Sequence, residues 1–192
     1  KERVAVNQTE DDCIVLNYDD KVLREFGEKK ELKPKVFFFS STQTLKEGMY
    51  LDGDTMIYAH DGKKEEVLNV KTDMQLLGKH NYENVMAAVA MSIRMGVPMD
   101  CIRKAVKEFK AVEHRIEFVL ERSGVRYYND SKGTNPDAAI QAIRAMPGPT
   151  VLIAGGYDKH SEYDEWIEAF GGKVKYLVLI GQTRDKIAEC AR

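Results

Sequence analysis

Asn129-Asp130-Ser131-Lys132-Gly133-Thr134-Asn135-Pro136 joins a β-type run at residues 125–128 to a segment of helical periodicity at residues 136–146. Asn is a strong helix cap and Pro suits the first helical turn, so a strand enters this stretch and a helix leaves it. Open α/β sheets place ligand chemistry at such turns. One capping side chain starts a helix, and Asn135 supplies it. Asp130, Lys132 and Thr134 are then surplus to folding. A lysine gains nothing beside the positive end of a helix dipole, so Lys132 points to an anionic ligand lying between it and the helix.

Downstream, the pattern predicts a strand at 150–154, a helix at 162–170 ended by Gly171-Gly172, a strand at 174–180 and a helix at 184–191. Strand–helix alternation of this kind implies a parallel sheet with helices on its faces. Upstream, residues 116–121 and 125–128 pair across Ser123-Gly124. Composition shifts near residues 110–114, which divides the chain into domains at 1–111 and 112–192.

In the first domain, residues 13–17 and 36–39 are short apolar runs suited to buried strands. Residues 49–70 alternate β-type runs with Asp52-Gly53 and Asp61-Gly62, which predicts a small antiparallel meander with tight turns. Residues 81–95 read as a helix capped by Asn81 and apolar nearly all round, hence buried. Asp100 is expected to cap the next helix, which carries the stripe Ile102, Ala105, Val106, Phe109. Residues 1–7 read as the tail of a helix. The expected class is α/β.

The 192 residues are 43% hydrophobic with a formal net charge of -2, so nothing draws the chain to nucleic acid at long range. Cys13, Cys101 and Cys190 are widely spaced, with neither a C-x-x-C pair nor zinc-ligand spacing, and read as reduced, partly buried thiols of a cytosolic protein. No apolar run is long enough to span a bilayer. Lys1-Glu2-Arg3 lacks an initiator Met, and residues 186–192 show no helix stop, so a fragment is expected. Oligomeric state is not legible.

Three further polar clusters sit at the ends of regular elements. His114-Arg115 falls at the domain junction; it reads either as a surface pair or as a planar guanidinium fork for phosphate oxygens. Asn81 and Asn84 share one helical turn; one reads either as a simple cap or, since a side-chain amide matches the donor and acceptor edge of adenine, as a base contact. Gly155-Gly156 lets backbone approach closely after a strand, leaving Lys159 either solvated or in reach of an acidic substrate. His60 and His160 read as ordinary surface residues. No G-x-x-x-x-G-K-[ST] phosphate loop occurs in these residues.

Taken together, Gly78-Lys-His-Asn-Tyr-Glu-Asn84, His114-Arg-Ile-Glu117, Asn129-Asp-Ser-Lys-Gly-Thr-Asn135 and Leu152-Ile-Ala-Gly-Gly-Tyr-Asp-Lys159 resemble the Mur ligases in order and spacing. The Asp-Ser-Lys-Gly-Thr-Asn form resembles the branch that adds D-glutamate. That resemblance implies an ATP-dependent, Mg²⁺-requiring cytoplasmic ligase of peptidoglycan synthesis. It would join UDP-N-acetylmuramoyl-L-alanine to D-glutamate through an acyl phosphate. It also implies that residues 1–111 are the second part of a P-loop-type central ATPase domain, and residues 112–192 the first part of a Rossmann-like C-terminal domain. By the same resemblance, Asn81 and Asn84 hold adenine, Asp130 the ribose, Arg115 and Lys132 the phosphoryl charge, and Thr134 and Lys159 the D-glutamate carboxylates. Lys1 matches a carbamylated lysine, which would offer oxygen to Mg²⁺. The isolated chain is expected to be inactive, for want of the phosphate loop. Two other readings stand beside this one: a folylpolyglutamate synthase-like ligase, which the Asp-Ser-Lys-Gly-Thr-Asn stretch opposes, and a non-catalytic binding fragment.

Overall fold

A computed structural model of the chain describes residues 2–110 and 112–192, which fall into two compact units divided between residues 110 and 111. The first unit holds a five-stranded sheet in the order β1 (Cys13–Asn17), β2 (Lys35–Ser40), β3 (Gly48–Asp52), β4 (Thr55–His60), β5 (Lys63–Asn69). β1, β2 and β3 run parallel, and β3, β4 and β5 form an antiparallel meander. Asp61 and Gly62 both have positive φ, 50° and 71°, as a two-residue hairpin turn of the primed type requires.

Phe37 and Phe39 pack with Met49, Met56 and Leu68 under the helices α2 (Lys79–Arg94) and α3 (Met99–Glu108). Val36 and Phe38 face the other way, toward Leu16 and Phe26 of α1 (Lys21–Gly27). The run Val36-Phe-Phe-Phe39 is apolar without alternation because both faces of β2 are covered. Helix α1 carries too few turns for its periodicity to show in sequence. It starts at Asp20, whose Oδ1 accepts the backbone N–H groups of Val22 and Leu23 at 2.9 and 3.0 Å.

Two expected caps are displaced. Helix α2 opens at Lys79 behind Gly78, whose φ of 94° only glycine adopts freely; Asn81 lies inside it. Helix α3 opens behind Pro98, and Asp100 sits in its first turn, paired with Arg103 at 3.2 Å. An acid there still favours the helix dipole. Of the expected helix at residues 1–7, the described residues form only the 3₁₀ turn Glu2–Ala5. Cys101 is exposed, whereas Cys13 and Cys190 are partly buried; all three are free thiols.

In the second unit, β6 (Glu117–Arg122) and β7 (Val125–Asn129) form a hairpin closed by Ser123 and Gly124. Strands β8 (Thr150–Gly156) and β9 (Val174–Gly181) pair in parallel. Helices α4 (Pro136–Ala145), α5 (Asp164–Glu168) and α6 (Arg184–Cys190) bring Ile140, Trp166 and Ile187 onto Leu152, Ala154, Leu177 and Leu179. The alternate side chains Val151, Ile153, Tyr176 and Val178 are exposed. The expected sheet with helices on its faces is therefore reduced to a parallel pair covered on one face and a separate hairpin. Three helices supply one apolar layer, which covers one face. No helix among the described residues is long and apolar enough to cross a membrane.

Candidate active site

The 129–136 turn forms as its residues dictate. Asn135 Oδ1 accepts the N–H of Ala138 at 2.8 Å, and Pro136 is the first residue of α4. The turn is locked to the segment 114–116. His114 O accepts the Lys132 N–H at 2.9 Å, and Asp130 Oδ1 accepts the Ile116 N–H at 3.0 Å. Asn129 Oδ1 takes the Ser131 N–H at 3.1 Å, which turns its amide nitrogen toward His114 Nδ1 at 2.8 Å. The Asn129 amide nitrogen only donates, so His114 Nδ1 is the acceptor of this contact; Glu117 Oε2 lies 3.6 Å from it. Glu117 Oε2 instead takes the His114 backbone N–H at 2.8 Å.

These bonds hold a strained backbone. His114 has φ 67° and Ile116 has φ 47°, the latter a rare conformation for a β-branched residue. Strain of this kind persists where surrounding contacts over-determine it, and it clusters at functional sites. The result places Arg115 and Lys132 on two interlocked loops. Both side chains are exposed and make no hydrogen bond or ion pair with any described residue. Two cations presented on a fixed frame can take up an anion without rearranging the backbone.

Thr134 and Lys159 also come together: Lys159 Nζ reaches Thr134 O at 3.5 Å. Lys159 follows Gly155-Gly156, and a side chain at Gly155 would place its Cβ 1.9 Å from Ile180 O, so only glycine allows β8 and β9 this approach. Asp130, Thr134, Gly156 and Lys159 line one open cavity of about 1250 Å³; Arg115 and Lys132 are outside its lining.

The remaining candidates lie in the first unit. Asn81 Nδ2 donates to Leu77 O at 2.7 Å, which leaves its carbonyl oxygen for a ligand. The Asn84 side chain is exposed, with no hydrogen bond to a described residue. Lys1 is outside the described residues. Among those residues no group of three or more His, Cys, Asp or Glu is placed to hold a metal ion. His60 stacks on Tyr58 at 4.3 Å, and His160 is exposed.

One cluster was not read from the sequence. At the carboxyl ends of β1 and β2, Asp19 receives Ser40 Oγ at 2.6 Å, Thr42 Oγ1 at 2.5 Å and the Ser41 N–H at 2.7 Å. Burial pushes its carboxyl up, but these bonds together outweigh burial and hold it at about 2. The signal was present: Asn17-Tyr-Asp-Asp20 and Ser40-Ser-Thr42 each follow a strand.

Two domain models match the chain: the Mur ligase middle domain over residues 1–92 and the Mur ligase glutamate ligase domain over residues 114–192. The chain belongs to the Mur ligase family. It is 53% identical over its whole length to a UDP-N-acetylmuramoylalanine–D-glutamate ligase of Lachnoclostridium phytofermentans, and 55% identical to one of Lachnospira eligens; it spans 42% of each. Among solved Mur ligases it is similar to MurF from Acinetobacter baumannii, with a TM-score of 0.67 at 17% identity over all of this chain and 43% of that one. A folylpolyglutamate synthase from Thermotoga maritima matches 89% of this chain and 41% of its own at a TM-score of 0.54 and 20% identity, a likeness of fold alone.

Proposed function

We propose that these residues belong to an ATP-dependent ligase adding D-glutamate to UDP-N-acetylmuramoyl-L-alanine in cytoplasmic peptidoglycan synthesis. The observation that carries this is the pair of cations Arg115 and Lys132, whose side chains meet no described partner, fixed at the Asn129–Asn135 turn and the loop locked to it in a chain 53% identical to a ligase of that name. Residues 1–111 would be the second part of the central ATP-binding domain, of P-loop type, and 112–192 the start of the C-terminal glutamate-binding domain.

In this reading a carboxylate oxygen of the nucleotide-sugar substrate attacks the γ-phosphorus of ATP, and ADP leaves. The amine of D-glutamate attacks the acyl phosphate carbon, and the tetrahedral intermediate expels phosphate to leave the amide. Arg115 and Lys132 stabilise charge on the transferring phosphoryl group, with the guanidinium offering a two-pronged contact. Asn81 and Asn84 contact adenine. Asp130 accepts a ribose hydroxyl, its backbone held by the Gly133 N–H at 2.8 Å. Thr134 and Lys159 meet the D-glutamate carboxylates, a role that their mutual contact and shared cavity suit. Mg²⁺ would neutralise phosphate charge, with carbamylated Lys1 as the proposed contact; among the described residues no group of three or more His, Cys, Asp or Glu joins it.

The activity belongs to a ligase of the relatives' length. By itself the 192-residue chain, without a phosphate-loop motif, is expected to release no phosphate from ATP when the substrates are supplied. The test is a ligase of that length containing these residues, given ATP, Mg²⁺, a panel of amino acids and, in separate reactions, UDP-N-acetylmuramoyl-L-alanine or a folate as acceptor. One amide and one phosphate per ATP with D-glutamate is the expected result. Product with L-glutamate on a folate acceptor, or ATP binding without any amide, would favour the two other readings in turn.

A further inference from the structure

Ser41 stands between two carboxylates from different elements of the first unit. Its Oγ lies 2.6 Å from Glu83 Oε1 and 3.0 Å from Asp19 Oδ2. A hydroxyl has one proton to give. The shorter contact takes it, so Ser41 donates to Glu83, while Asp19 Oδ2 is served by the Ser41 backbone N–H at 2.7 Å. The hydroxyls of Ser40 and Thr42 fill Asp19 Oδ1. Ser40 is fully buried, and its Oγ also accepts the N–H of Gln43 at 2.8 Å. Asp19 is thus engaged by the 40–42 turn. Its work is to fix the 40–42 turn at the carboxyl end of the parallel strands.

Glu83 lies in the opening turns of α2, between Asn81 and Asn84, and its side chain is 26% exposed. The body of that helix is held by Val85, Met86, Val89 and Ala90 in the core. Its opening is held less: no side chain caps it, and Gly78 precedes it. The Ser41–Glu83 bond ties these opening turns to the sheet edge across 42 positions of sequence. The Asn84 side chain is exposed and makes no bond to a described residue, so the placement of its amide follows the placement of the helix turn.

We propose that Glu83 and Ser41, anchored by Asp19, are positioning residues that aim Asn84 at the nucleotide base. This rests on the reading that Asn81 and Asn84 contact adenine. Loss of the bond leaves the helix in place, because its core side chains remain, but lets its first turn shift.

The test uses a ligase of the relatives' length carrying these residues, assayed with ATP and with GTP alongside thermal melts. Glu83→Ala and Ser41→Ala should each raise the KM for ATP about three- to tenfold, the range for one lost hydrogen bond. They should also narrow the preference for ATP over GTP, with kcat at saturating ATP and the melting temperature nearly unchanged. Glu83→Gln should restore both KM and base preference, because its amide oxygen accepts the same proton. Asn84→Ala separates the premise from the proposal. If it leaves ATP affinity and base preference intact, the adenine reading fails and takes the positioning role with it. If it weakens both while Glu83→Ala and Ser41→Ala do not, the adenine reading stands and the positioning role is wrong. Loss of melting temperature in Glu83→Ala with an unchanged ATP-to-GTP preference also overturns the proposal, leaving a purely structural bond.

Discussion

Arg103 and Arg115 are the same side chain put to opposite uses. Arg103, on α3, donates to Val67 O at 2.9 Å, Glu66 O at 2.6 Å and Glu65 Oε1 at 3.1 Å, and pairs with Asp100 at 3.2 Å. Four of its five N–H groups are bonded, so its guanidinium is nearly saturated, and it pins a helix to an edge strand. The Arg115 guanidinium is exposed, meets no described acceptor, and rides on a backbone bent into positive φ at both neighbours. The fold spends hydrogen bonds on holding Arg115's loop and none on its head group. A saturated cation reports on stability. An unsaturated one on a rigid, strained frame reports on a ligand.

The sharpest way to break this contrast is at Lys132, which shares Arg115's condition. In a ligase of the relatives' length, Lys132→Ala should lower kcat about 100- to 1000-fold, the usual effect of losing one donor to transition-state charge, with the melting temperature unmoved. Steady-state phosphate release and a thermal melt on one preparation check both halves. Next is Lys159. Lys159→Ala should raise the KM for D-glutamate about ten- to 100-fold, as for a lost charged hydrogen bond, while the KM for ATP holds. An unchanged D-glutamate KM would return Lys159 to the class of solvated surface residues.

A smaller effect sharpens the contrast from the saturated side. Asp19 has a folded pKa of about 2 against an ordinary value of 3.8. A depressed carboxyl stabilises the fold above its unfolded value and loses that contribution as pH falls through the folded one. The urea midpoint of the chain should therefore fall between about pH 4 and pH 2, and Asp19→Asn should flatten that part of the profile. Identical slopes in the two proteins would show that Asp19 contributes nothing there.

What the sequence disclosed follows from range. The turn into α4 was legible because Asn135 and Pro136 act on their immediate neighbours. The meander was legible for the same reason, through Asp61-Gly62. Helix α1 was not, since Leu23 and Phe26 give no repeat to read. Asn81 looked like a cap because its side chain can serve as one; Gly78 supplies the conformation instead, and Asn81 bonds back to Leu77. The separation of the β6–β7 hairpin from β8 was out of reach, because strand patterns do not say which edges meet. The site divides likewise. Lys132 and Thr134 stood out locally. The Asp19 cluster depends on contacts 21 to 42 positions apart; its two polar runs are visible after their strands, but neither one names its partner.

The most direct measurement is a paired one on a ligase of the relatives' length: kcat and unfolding free energy for Arg115→Ala and Arg103→Ala together. Arg115→Ala should cost about 100-fold or more in kcat and less than about 0.5 kcal/mol in stability. Arg103→Ala should cost about 1–3 kcal/mol in stability, as charged hydrogen bonds to Val67 and Glu66 are lost, with kcat intact. If instead Arg115→Ala turns over normally, or Arg103→Ala abolishes turnover in protein that is still folded, the distinction between a saturated and an unsaturated cation does not locate the chemistry of this chain.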